Sequence, residues 1–482
     1  MLKFEEVLET IAYISYEKNN DKNIVAVANN SKEVKEGYAF VSIKGNIEDG
    51  HKYIDSAIEN GASLIIHTED IAYKEGISYI KVKDGRYALA EISNKLSDYP
   101  SKKMTIVSVT GSNGKTTTSR LVYFLLDEIF GKAANIGTDL ALIGGKEYRT
   151  SNTTPTITEV NKLMNICVDE GMKFLSLETS SHGLDQKRVY GVDIDYGVFT
   201  NLSREHLDYH KTMDNYFKAK MILFDQAKHT VANIDDPYGK KAKELYPNTI
   251  TYGIENENAD YRAENVVKKD CKITYEVKGV EFVLNTIAYY EVYNTLAATA
   301  VVCDMGASLE EVKKAMKKFT GVASRFEYIE NDLGLNIVID FAHTPFAYDS
   351  LFKSVPQGHK TFAVFGVNGD RNKEFRVSTG KACADNDVFA VVTTDDPKFD
   401  TLENVNRDII EGIEANGGEY TVINVRKEAI RYAVSHAKKG DFIFLLGKGE
   451  ENFLKLKGNE KTPYSERDTL KEVLESLWEY LS

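Results

Sequence analysis

The sequence predicts an α/β protein built as three domains, and three observations carry that expectation. The 482 residues exceed one ordinary core at roughly 150 residues per domain. Continuous apolar runs of strand length alternate with helical stretches, the pattern of a parallel sheet covered on both faces. The alternation stops and restarts near residue 326, which puts the domains at 1–100, 101–326 and 327–482.

In the first domain "YAFVSIKG" and "ASLIIHTED" read as strands, and "YIDSAIENG" as a helix ending at Gly61. The second carries "MTIVSVT", "FLSLETS", "YGVFTNL" and "HTVANID" as strands of a doubly wound sheet. The third carries "LNIVIDFAH", "TFAVFGVNGD", "VFAVVTTDD", "YTVINV" and "DFIFLLGKG", a second open sheet of Rossmann-like type. Ligands of such sheets bind outside the carboxyl ends of the strands. Chemistry is therefore expected at Ala342-His343, Asn368 to Arg371, Thr394 to Lys398 and Gly447 to Glu451.

The stretch "TIVSVTGSNGKTTTSRLVYFLLDEIF" has a phosphate-loop context: an apolar strand, a glycine turn, then a helix with Leu121, Val122, Leu125 and Ile129 facing the sheet. Val109 stands where the strict Walker pattern has its first glycine, so the loop is the shortened Gly111-Ser112-Asn113-Gly114-Lys115-Thr116-Thr117. Helix-start amides, the helix dipole and Lys115 make an anion site, and Thr116 offers a hydroxyl to Mg²⁺.

Hydrophobic residues at 42% and charged residues at 28% are ordinary for a globular protein, and no run reaches the ~18 apolar residues of a membrane span. The acidic start "MLKFEEVLET" is unlike a signal peptide and points to the cytoplasm. Cys167, Cys271, Cys303 and Cys383 lack metal or disulfide spacing and are expected as free, mostly buried thiols. A net charge of −13 argues against a nucleic-acid partner.

The loop resembles the ATP loop of the Mur ligases and of their relatives, the folylpolyglutamate synthetases. The resemblance continues in family order through "NTTP", "ETSSHGLDQKRV", "FTNLSREHLDYH", "YFKAKMILF", "VYN", "SRFE", "DFAHTP", "GVNGDRN" and "GKGEE". Within the family the chain is most similar to the ligases that add the third amino acid of the peptidoglycan peptide. Its stretch from Asn29 to Ala62 is similar to their uridine-nucleotide domain.

The resemblance implies an ATP- and Mg²⁺-dependent ligase that activates a carboxylate as an acyl phosphate for attack by an amine. It implies a monomer, with UDP-N-acetylmuramoyl-dipeptide and a diamino acid as substrates. Lys115 and Thr116 would serve the phosphates, Glu178 and His206 would hold Mg²⁺ with Thr116, and Lys220 would be the carbamylated lysine supporting a second Mg²⁺. Asn294, Arg325, Asp340 and His343 match the adenine, ribose and hinge-side contacts. Ser31, Asn152, Thr153, Thr154, Ser180, Gln186 and Arg188 match positions that hold the nucleotide-peptide. Lys32, Glu205, Glu291, Ser324, Asn372 and Glu450 depart from the family pattern.

For the incoming amino acid, Arg376 matches the α-carboxylate site, with Asp396, Lys398, Gly447 and Glu451 around it. Diaminopimelate-adding members carry Asp-Asn-Pro-Arg where this chain has Asp395-Asp396-Pro397-Lys398. Lysine lacks the bidentate fork of arginine, and Asp396 and Glu450 add negative charge. That balance favours L-lysine, with meso-diaminopimelate as the alternative. A divergent Mur-like binding protein and a folylpolyglutamate-type ligase are the rival readings.

Overall fold

The computed structural model describes residues 1–45, 48–269 and 272–481, so Cys271 lies outside the described residues. The chain divides into two compact units. The first comprises Met1–Glu264, Val277–Val280 and Tyr293–Met316, and the second Asn265–Glu276, Glu281–Val292 and Lys317–Ser482.

The first unit holds two sheets. Strands β1 (Ser15–Glu17), β2 (Ala26–Ala28), β3 (Tyr38–Val41), β4 (Ala62–His67) and β5 (Ser78–Lys81) form one in the order β1-β5-β4-β3-β2. All six residues of β4 are buried, which a run of alanine, leucine and isoleucine permits at a sheet centre. The expected helix before it spans Ile54–Glu59 and is entered through a short turn, Gly50–Tyr53. Gly61 then takes φ +105°, and a side chain there would meet the backbone of Glu36 at 2.8 Å.

The larger sheet contains β6 (Thr105–Thr110), β7 (Ala133–Ile136), β8 (Leu140–Ile143), β9 (Lys146–Arg149), β10 (Phe174–Glu178), β11 (Ile194–Phe199), β12 (Ala227–Asn233), β13 (Ile250–Gly253) and β14 (Tyr261–Arg262). Its order is β14-β13-β12-β11-β6-β10-β7-β8-β9. From β14 to β7 every pairing is parallel. The β7-β8-β9 edge is antiparallel and was not anticipated. Its signal was Gly144-Gly145, which turn with φ +58° and +77°, as a two-residue hairpin of primed type requires.

The helix Lys115–Ile129 buries Leu121, Val122, Leu125 and Leu126, while Ile129 is only half-buried. Each fully buried leucine contributes about 1.5–3 kcal/mol, so an aspartate at Leu125 would detach this helix from the sheet. Because β6 lies between β10 and β11, the carboxyl ends of three neighbouring strands meet at the phosphate loop.

The second unit contains β15 (Glu327–Ile329), β16 (Asn336–Asp340), β17 (Thr361–Phe365), β18 (Phe389–Val392), β19 (Tyr420–Val422) and β20 (Phe442–Leu446). They lie in the order β15-β16-β20-β17-β18-β19, parallel except for β15. Both β17 and β20 are buried along their whole length, as their continuous apolar runs require. The ends of β16, β20, β17 and β18 are adjacent, so the four polar tails foreseen from the sequence lie side by side.

Cys167 and Cys383 are buried and Cys303 is half-buried, all three as free thiols. Among the described residues no helix is long and apolar enough to cross a membrane.

Candidate active site

The phosphate loop runs from the end of β6 into its helix under two tight constraints. Gly111 takes φ +154° with its α-carbon so close to β11 that a side chain would fall 1.8 Å from Thr200 Oγ1. Gly114 takes φ +81°, and a side chain there would meet Asn294 Oδ1 at 2.5 Å. Only glycine satisfies both positions.

The segment after β11 braces the loop. The Asn113 amide donates to Asn201 Oδ1 at 3.0 Å, and the Asn113 carbonyl accepts from Thr200 Oγ1 at 2.6 Å and Asn201 Nδ2 at 3.1 Å. Ser203 donates its amide to Ser112 Oγ at 3.0 Å. Thr200, Asn201 and Ser203 were not among the anticipated site residues, although they lie in a motif already singled out. No local pattern marked them, because their partners are far away in sequence.

Lys115 Nζ donates to the carbonyls of Gly111 and Ser112 at 3.0 and 2.8 Å. Lys220, on the helix Met213–Gln226, is fully buried, and its Nζ donates to Gly111 O at 2.7 Å. Burial, with Lys115 nearby adding to it, pushes this amine well below the ordinary lysine range.

Glu178 ends β10 with its carboxylate buried. One oxygen accepts from Thr116 Oγ1 at 2.9 Å, and the other from the amide and hydroxyl of Thr138 at 3.0 Å. His206 sits in left-handed backbone, φ +55°, beside Glu205 at 3.6 Å. Burial pushes its imidazole down to about 4, so it is neutral at neutral pH, the form that ligates a metal. Among the described residues no three His, Cys, Asp or Glu side chains are grouped to hold a metal by themselves. The adjacent Thr116 hydroxyl and Glu178 carboxylate fit Mg²⁺, a cation that binds through one or two protein oxygens and completes its shell with phosphates and water.

The positions expected to hold the nucleotide-peptide form a connected patch. Arg188 donates to Thr154 O and Gln186 Oε1, both at 2.8 Å. The Ser180 amide donates to Thr154 Oγ1 at 2.8 Å, Thr153 Oγ1 lies 3.1 Å from the Thr138 hydroxyl, and Asn152 is exposed. Ser31 is buried in the smaller sheet's layer, its carbonyl accepting from Asn60 Nδ2 at 2.9 Å. Asn294 Oδ1 lies 3.2 Å from Thr118 Oγ1, beside the phosphate-loop helix.

In the second unit the Arg325 guanidinium stacks over Phe341 at 4.7 Å. Asp340 accepts from the amides of Phe326 and Ala342, both at 2.6 Å, and burial pushes its carboxyl above the usual range. His343 Nδ1 lies 2.9 Å from Phe341 O.

The other three strand ends carry charges that are already matched. Lys448, with no exposed side-chain surface, reaches Glu451 at 2.7 Å, Asp396 at 2.9 Å and Asp395 at 3.4 Å. Arg376 reaches Asp400 at 2.7 Å, Asp408 at 3.1 Å and Gly369 O at 2.6 Å. Lys398 pairs with Asp370. Gly447 takes φ +98°, and a side chain there would meet Asp395 Oδ2 at 2.8 Å. Of the two acidic residues that favoured lysine as substrate, Asp396 therefore already neutralises Lys448, a cation the charge count had left out.

Comparisons with known proteins identify the family. Residues 23–96 match the family model "Mur ligase family, catalytic domain", 109–302 "Mur ligase middle domain", and 324–449 "Mur ligase, glutamate ligase domain". The UDP-N-acetylmuramoyl-L-alanyl-D-glutamate--2,6-diaminopimelate ligase of Clostridium botulinum is 36% identical over 98% of this chain and 99% of its own. A solved ligase of the same description superposes with a TM-score of 0.67 at 25% identity, covering 99% of both chains. The MurF ligase of Thermotoga maritima in complex with ADP has the same fold, with a TM-score of 0.61 at 23% identity, covering 95% of this chain and 98% of its own. The chain belongs to the Mur ligase family, whose members are ATP-dependent amide-forming ligases.

Proposed function

We propose that this ligase, of the type that builds the UDP-muramoyl tripeptide, joins meso-2,6-diaminopimelate to UDP-N-acetylmuramoyl-L-alanyl-D-glutamate. The observation that carries this reading is the full-length match to a ligase of that description, together with a phosphate loop whose lysine donates to two backbone carbonyls. The same match favours diaminopimelate over lysine. The pairing of Lys448 with Asp396 removes part of the reason for a cationic side chain.

The chemistry follows from what the residues can do. Lys115 exchanges its two carbonyl partners for phosphate oxygens, and the helix-start amides hold the rest of the nucleotide. Thr116 and Glu178 would hold Mg²⁺, which would supply positive charge to the phosphates. Arg188, Ser180 and Thr154 orient the peptide so that its terminal carboxylate oxygen meets the γ-phosphorus; ADP leaves with the bridging electron pair. The amine then attacks the acyl carbon and expels phosphate, and the C–N bond forms as the C–O bond breaks.

Lys220 enters as a carbamate in this reading. A neutral buried amine adds to CO₂, forming an N–C bond and releasing a proton, and its low basicity supports that step. The domain limits 1–100, 101–326 and 327–482 belong to the same proposal, supported by family matches that fall close to them. So does a cytoplasmic setting, where ATP is at hand.

Competition among diaminopimelate, lysine and ornithine tests the reading, with UDP-muramoyl-dipeptide and ATP present. A higher kcat/KM for diaminopimelate is the expected result. A higher value for lysine restores the alternative, and ATP turnover with no amide formed rejects both.

A further inference from the structure

The motifs that supplied His206 and Lys220 also contain Tyr216 and His210, which the reaction leaves unused. Tyr216 is 1% exposed, and its hydroxyl lies 3.1 Å from Ser112 Oγ in the phosphate loop. It stands one helical turn before Lys220, whose Nζ lies 4.7 Å over its ring, and the His206 ring meets it edge-on at 6.1 Å. His210, 6% exposed, stacks on Tyr216 with ring centres 4.9 Å apart and planes 20° from parallel. Its Nε2 lies 3.0 Å from Ser181 Oγ. Ser181 opens the helix Ser181–Asp185, which Ser180 caps by accepting from the Gly183 amide at 3.0 Å.

We propose that Tyr216 and His210 form a two-ring bridge that fixes the phosphate loop, through Ser112, in register with the substrate-side helix start, through Ser181. Both are positioning residues. The substrates of the proposal rest on the function proposed above; the bridge itself rests on three contacts, Ser112–Tyr216, Tyr216–His210 and His210–Ser181. Transfer between a phosphoryl group and a carboxylate demands that the reacting atoms approach to about 3–3.5 Å in line, and an error of about 1 Å costs on the order of a hundredfold. The phosphate loop and the Ser180 segment hold the two partners of that transfer, yet they leave different strands. Two stacked rings hydrogen-bonded to both serines resist movement of one segment against the other. Residue chemistry argues for this role over mere filling: apolar side chains of similar size would fill the space without burying a hydroxyl and an imidazole that each need a partner.

The test uses the full chain and two variants. Tyr216→Phe keeps the stack and removes the loop hydrogen bond, whereas His210→Gln keeps a polar reach toward Ser181 and removes the stack. Each is expected to lower kcat by about tenfold to a hundredfold, with both KM values and the affinity for ADP changed less than about threefold. The double variant should be no slower than about twofold below the slower single one, because the two act as a unit. Amide hydrogen exchange needs no substrate and is independent of the functional reading. Either variant should speed exchange in 111–116 and 180–184 together. Wild-type kcat in Tyr216→Phe, losses that multiply in the double variant, or faster exchange in one segment alone would each overturn the bridge. Wild-type turnover in the same assay reports separately on the proposed reaction.

Discussion

Lys115 and Lys448 both sit at the carboxyl ends of parallel strands, and they are held in opposite ways. Lys115 leans on two backbone carbonyls, and its neighbour Lys220 on one of the same pair. Lys448 is enclosed by three carboxylates, Arg376 reaches two, and Lys398 faces one. A carbonyl offers only a partial charge, so the positive charge of Lys115 is left for an incoming anion. The C-terminal strand ends have spent theirs internally. Counting charged residues therefore reports the charge of a ligand in the first region and misleads in the second.

The sharpest break of that contrast is Lys115→Ala. It removes the cation aimed at the phosphates, and ligation is expected to fall by about 10³–10⁵ with the melting temperature nearly unchanged. Retained turnover would mean that the loop does not carry phosphate.

Lys448→Ala should act on folding instead. It strands Asp395, Asp396 and Glu451, and loss of about 3–5 kcal/mol is expected from denaturant unfolding. Burial already pushes the Asp395 carboxyl up, and without Lys448 to oppose it the folded value rises further above the unfolded one. Carboxyls raised in the fold bind protons more readily folded than unfolded, so the defect should shrink as pH falls from 7 toward 5. A defect that grows on acidification would show that the carboxylates are held by something else.

Lys220→Ala comes next, with kcat lower by about a hundredfold and partly rescued by formate or acetate standing in for the carbamate. Activity that ignores both added carboxylate and CO₂ depletion would remove the carbamate from the proposal.

The smallest effect belongs to Asp370→Asn. Asp370 is half exposed, so stability should change by less than about 1 kcal/mol. Freed of its partner, Lys398 should change KM for diaminopimelate more than KM for lysine. Equal shifts for the two would place Lys398 away from the distal carboxylate.

The sequence by itself determined the α/β class, the restart of the second sheet and the place of the phosphate loop. Those signals are local: apolar runs of strand length, glycines next to a Lys-Thr pair, and a helix starting where the loop ends. It also held the signal for the β8-β9 hairpin in Gly144-Gly145, a turn that was legible but went unread. Tertiary structure alone decided which charges remain available. Lys448 and Asp396 are 52 residues apart, Lys398 and Asp370 28 apart, and Asn113 is braced from Asn201 at a separation of 88. A side chain's type fixes the charge it carries, but the strand order fixes which partner comes within reach, and that partner decides whether the charge is left for a ligand.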